Sequence, residues 1–278
     1  MSSDHKRKQP SRTYRAHGQM SEAFLTAAFL SVSGGLQDAY TYMFRGKVFA
    51  NAQTGNIVLL SQCIYEKNWM LAMHYFVPLA AFAMGVAVAE WIREAYLDAK
   101  KVHWRQLVLL SEMLLLFIVG FLPERFNVPA NALVSFSCAM QVQAFRKVNG
   151  YAFSSTMCIG NIRSGMEALA IYIRTHDRKM LKKSLRYLEI IFLFGVGAGL
   201  GGHLVARFGA HTIWFSCMLL MVGFCLMFIK EEIEEHPEIR QEEEAIRKDL
   251  QDIGKKAADV EHLIEEDIRN SRSIEKDR

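Results

Sequence analysis

The 278-residue sequence predicts an all-α fold: a polytopic membrane helical bundle. Three observations predict it. Apolar runs of about 20 residues recur along the chain, and such a run crosses a hydrocarbon core ~30 Å thick at 1.5 Å rise per residue. Charged residues crowd into the first 20 positions, a few short interior stretches and everything after Lys230. The middle of the chain also echoes its own pattern, as duplicated membrane units do.

The elements follow in order. Residues 1–21 form a basic tail, with Lys6, Arg7, Lys8, Arg12 and Arg15. The apolar stretch behind it is too long for a signal-peptide core, so it reads as a first spanning helix. Six segments are long enough to cross: 23–44, 69–92, 106–122, 128–145, 188–206 and 212–229. Two shorter ones, 54–65 and 159–173, each follow a polar, small-residue stretch and read as re-entrant or broken helices. Irregular backbone is tolerated at membrane depth only where protein or a wet cavity covers it.

The basic residues choose between topologies. With six crossings and two re-entrant helices, the N-terminus, the 93–105 loop (Arg93, Lys100, Lys101, Arg105) and the 174–186 segment all face the cytoplasm, as the positive-inside rule asks. Eight full crossings are the alternative, and they force the 93–105 loop outside. Both arrangements put both termini in the cytoplasm. The membrane domain is 22–230. The segment 231–278 is a charged cytoplasmic helix whose spacing of Ile246, Leu250, Ile253, Ala257, Val260 and Ile264 fits a short coiled coil and a homodimer contact. A solvated amphipathic helix fits it equally.

Within the membrane domain, units 22–122 and 128–230 match collinearly. Leu36-Gln37 pairs with Met140-Gln141, Gly55-Asn56-Ile57 with Gly160-Asn161-Ile162, and the run from Phe82 to Val86 with that from Phe192 to Val196. One re-entrant and three crossing helices per unit make the second unit enter from the opposite side. Inverted repeats whose broken helices meet near the midplane are a recurring transporter plan.

The run Gly34-Gly35-Leu36-Gln37-Asp38-Ala39 and the run from Phe49 to Asn56 resemble the YoaK-like family of bacterial multi-pass membrane proteins. The Asp38-Ala39 step and the Thr54-Gly55-Asn56 turn carry the resemblance, with Gln141 and Gly160-Asn161 as a weaker echo in which Ile159 replaces the threonine. The resemblance spans about residues 20–230. It implies the membrane fold and leaves the activity open.

Several residues are candidates for chemistry. Gln37 and Asp38 lie inside the first helix, where an ionisable group is costly by roughly 2.5–3.5 kcal/mol at a helix centre, so Asp38 reads as an ion or proton site or as a wet interfacial acid. Thr54, Gly55, Asn56, Gly160 and Asn161 open the short helices, whose free amides and missing side chains admit a ligand or merely cap and pack. Glu112 lies within a span. Arg163 and Glu167 are four apart on one helix face and pair with each other, or Arg163 meets Glu112 or an anionic substrate.

His74 and His203 lack a metal-type partner, and the scattered cysteines lack ligand spacing, so neither a metal nor a cofactor is expected. The net charge of +4 belongs to loops and tails and makes no nucleic-acid surface. The partners expected are the lipid bilayer and a small solute or ion. A small secondary transporter or permease is the leading expectation, with its site between the two short helices near Gln37, Asp38 and Gln141. An intramembrane enzyme using Glu112 or His203 on a lipid-like substrate is the alternative, and a scaffold or sensor acting through the C-terminal helix is a third.

Overall fold

A computed structural model describes residues 16–96, 104–148, 151–152 and 156–235. Eight helices carry the fold: α1 (Ala16–Phe44), α2 (Gln53–Tyr65), α3 (Trp69–Tyr96), α4 (Trp104–Val119), α5 (Asn127–Ala144), α6 (Cys158–Thr175), α7 (Arg178–Phe208) and α8 (Ile213–Glu235). A hairpin of two strands, β1 (Lys147–Val148) and β2 (Tyr151–Ala152), links α5 to α6. The basic tail before residue 16, most of the 93–105 loop and the chain after Glu235, with its coiled-coil and dimer readings, lie outside the described residues. Contacts divide the chain after Met227, and the account below concerns the part up to that residue.

The helices are greasy outside and enclose polar side chains beside an apolar core. Leu110, Leu114, Phe117 and Ile118 of α4 are exposed, as are Phe192, Val196 and Leu200 of α7 and Met218, Met221 and Val222 of α8. Ser33, Gln37, Glu112, Gln141 and Ser216 are buried instead. Water would reverse that sorting, whereas a bilayer favours it, because the apolar exterior meets lipid and the polar side chains find partners within. By length and composition, α3 and the α7–α8 stretch Arg178–Met227 are apolar enough to cross a membrane. At 1.5 Å per residue α2 reaches ~20 Å, short of a crossing, while α6 at ~27 Å is longer than its sequence pattern indicated. Helix α7 also starts earlier than expected, because Asp177 caps it by accepting from the Lys179 amide and its first turns form a charged amphipathic extension.

Helix α1 packs chiefly on α7, and α3 on α5, so each half of the chain lays its first helix on the third helix of the other. Small residues make both contacts. A Cβ at Gly197 would overlap the Val32 carbonyl, and one at Gly85 the Phe136 carbonyl. The buried Ala72, Tyr75, Pro78, Gly85 and Ala89 of α3 have buried counterparts 112 positions on, in Ser184, Tyr187, Ile190, Gly197 and Gly201 of α7. Along α1 and α5 the offset is 104: Ser31, Ser33, Leu36 and Gln37 answer to Ser135, Ser137, Met140 and Gln141, all buried. Val108, Leu109, Glu112 and Leu116 answer at the same offset to Thr212, Ile213, Ser216 and Leu220, again all buried.

These registers correct the match made on sequence between Gly85 and Gly195. Gly195 is exposed and a Cβ there would meet nothing within 4 Å; Gly197 is the glycine placed like Gly85. Ala83, Ala87 and Gly199 are exposed, and the buried small residues are Gly85, Ala89, Gly197 and Gly201.

Candidate functional site

Two polar clusters lie against α1, on different faces of the same turn. The first centres on Gln37. Its amide Nε2 lies 3.1 Å from Glu112 Oε1, 2.9 Å from Ser216 Oγ and 3.1 Å from Ser33 Oγ, while its Oε1 accepts from the Cys138 thiol. Ser33 and Ser216 hydroxyls bond each other. Side chains from α1, α4, α5 and α8 therefore meet in one buried knot, with Glu112 fully enclosed. Gln141 reaches across from α5 to the Leu30 carbonyl.

The second cluster faces the segments that lead into the two short helices. Asp38 Oδ1 accepts from the Asn51 backbone amide at 2.7 Å, and Asn51 Nδ2 donates to the Gly34 carbonyl at 3.3 Å. From the other half, Thr156 lies so close to Gly34 that a Cβ there would collide with its methyl group. Asn51 and Thr156 sit five residues ahead of Asn56 and Asn161 respectively, and both are buried. Asn51 Oδ1 and Thr156 Oγ1 have no hydrogen-bond partner. Buried oxygens are rarely left so; among the described residues Asn131 Oδ1, Ser135 Oγ, Ser184 Oγ and Thr212 Oγ1 share the condition, but only Asn51 and Thr156 meet at Gly34. The two leads thus converge on one turn of α1, around a carboxylate and two orphaned oxygens.

The other expected site residues are placed as follows. Asn56 does not cap α2, whose N-cap Ala52 has no side-chain bond. It brackets Phe49, accepting from that residue's N–H at 3.0 Å and donating to its C=O at 2.7 Å, and so holds the lead in shape. Thr54 is exposed, and a Cβ at Gly55 would meet only the Phe49 ring. Asn161 is buried, but a Cβ at Gly160 would meet nothing within 4 Å. Arg163 and Glu167 are both exposed on α6, and no ion pair joins them among the described residues. Glu112 is fully buried on α4, where Gln37 donates to it, whereas Arg163 is exposed. His203 is exposed on α7, so no acid–base pair with Glu112 forms.

Sequence reasoning missed Ser33, Ser216, Asn51, Thr156 and Arg45. The repeated Ser-x-Ser-x-x-x-Gln pattern, at Ser31 to Gln37 and Ser135 to Gln141, was the available signal for the first. Arg45 is wholly buried at the end of α1 and donates to the carbonyls of Val119 at 3.0 Å and Leu122 at 2.8 Å, and to Tyr40 Oη and Asn127 Oδ1. Arg45 thereby closes the last turn of α4, where a cation also suits the helix dipole.

The family model described as "Protein of unknown function (DUF1275)" matches residues 26–226. The chain belongs to the DUF1275 family. It is also 26% identical over 202 residues to the UPF0700 transmembrane protein YoaK of Bacillus subtilis (strain 168), an alignment covering 69% of this chain and 88% of that protein. No solved structure matches. As a DUF1275 protein the chain is a helical membrane protein. Both polar clusters, the leads and the α1–α7 and α3–α5 contacts lie inside the matched region.

Proposed function

We propose that this DUF1275 protein is a small secondary transporter or permease. Two units in an inverted repeat, with six crossings and the broken helices α2 and α6, would place both termini in the cytoplasm. The recurrence of buried positions at fixed offsets and the exchange of first-on-third helix packing between halves support the repeat. The observation that carries the functional reading is the convergence of both helix leads on Gly34 and Asp38, with Asn51 Oδ1 and Thr156 Oγ1 orphaned there. Unwound backbone beside broken helices is where transporters of this plan bind substrate and coupling ion. A carboxylate, an amide oxygen and a hydroxyl form an oxygen-rich set that favours a cation or a donor-rich solute.

Asp38 is the residue on which binding depends most, and Gln37 with Glu112 forms the knot against which the two halves bear. In reconstituted vesicles the wild type is expected to move one or more members of a panel of sodium, potassium and small amines. Asp38→Asn abolishes that movement while its melting profile in detergent stays unchanged. Equal flux in the two proteins removes Asp38 from the site, and no flux across the panel by the wild type counts against the solute class.

A further inference from the structure

A separate site lies where α3 ends, α4 begins and α5 ends. A cavity of about 160 Å3 is lined there by Arg93, Trp104, Arg105, Gln143, Ala144 and Arg146. Three guanidinium groups, on α3, on α4 and just past the end of α5, thus surround one small space. Glu90 takes up part of their charge: it pairs with Arg93, lies 3.9 Å from Arg146 and accepts from the Gln143 amide. Among the described residues, the cavity is thus lined by three arginines, with Glu90 as the carboxylate beside Arg93 and Arg146.

The arginines are positioned from beneath. Arg105 Nε donates to the Ala144 carbonyl at 3.1 Å, and its guanidinium lies 5.4 Å from the Trp104 ring centroid. Trp91 and Tyr96, on the last turns of α3, are exposed. Tryptophan and tyrosine collect at the level of lipid headgroups, and basic pockets between helices at that level take phosphate groups. Guanidinium is the side chain suited to phosphate, because its planar fork donates two parallel hydrogen bonds.

We propose that this cavity binds a phosphate-bearing anion, either the headgroup of an anionic phospholipid or free inorganic phosphate. The inference does not rest on the transport reading and survives its failure. It also assigns a role to three basic residues whose clustering the positive-inside rule does not require.

The test uses the full chain, purified in detergent and stripped of lipid. Phosphatidylglycerol, zwitterionic phosphatidylcholine and inorganic phosphate are titrated separately, with lipid retention read by native mass spectrometry and all three by thermal unfolding. The wild type is expected to bind phosphatidylglycerol or phosphate in preference to phosphatidylcholine, and the one that binds more tightly identifies the source. In Arg93→Gln/Arg146→Gln the affinity falls about 5-fold for each arginine removed. If that pair weakens the fold by freeing Glu90, Arg146→Gln alone carries the same comparison, since its side chain is half exposed. Anion affinity unchanged in both variants overturns the proposal, as does a wild type that fails to distinguish phosphatidylglycerol from phosphatidylcholine and ignores phosphate.

Discussion

Arg45 shows how much one side chain decides. Its rigid fork donates from Nη2 to the Val119 and Leu122 carbonyls at and past the end of α4, and from its other nitrogens to Tyr40 Oη and Asn127 Oδ1. Lysine supplies charge without that fork. Arg45→Lys is therefore expected to destabilise the protein nearly as much as Arg45→Ala, by about 2–4 kcal/mol from the unsatisfied buried groups. Thermal unfolding in detergent measures it, and full rescue by lysine would show that charge alone matters there. Asp38 and Gln37 are neighbours in sequence, and their types were legible as candidates. Their separation onto two faces was not, because it depends on which helices meet each face. Asn56 likewise looked like a helix cap, yet its amide mimics a peptide group and grips Phe49.

At the scale of the helices, glycine content alone says little about contact. Gly35, Gly85 and Gly197 each abut the backbone of another helix, and Gly195, Gly199 and Gly160 face open space. Gly85→Ala is expected to cost about 1–3 kcal/mol as α3 is pushed off α5, whereas Gly195→Ala is expected to change stability by less than about 0.5 kcal/mol. Melting temperatures of the two variants check this, and equal shifts would refute the assigned interface. The helices themselves were legible because runs of apolar residues have the length a bilayer requires. Their ends were less so: α7 gains its charged first turns from the cap at Asp177, which hydropathy does not register. The pairing of Gly85 with Gly197 needed the packing, since identical short motifs slide easily along apolar sequence.

Over the whole molecule, the two halves share a plan but not a chemistry. Gln37 and Gln141 correspond, yet Asp38 answers to Val142 and Glu112 to Ser216. Both buried acids among the described residues belong to the first half, and the positions that answer to them in the second are neutral. A bilayer explains that economy, because each ionisable group within it is expensive and is kept only where it acts. For the proposed repeat the sequence offered three short matches. The site was half visible: the polar leads drew attention, but Asn51 and Thr156 stood out only once both were seen against Gly34. The account's central claim is that a solute passes where those leads meet. Cysteines placed singly at Asn51 and Thr156, in a chain whose five native cysteines are replaced by alanine or serine, test it most directly. Each should react with a membrane-impermeant maleimide added from either face of the membrane; protection of both positions from both faces would contradict the claim.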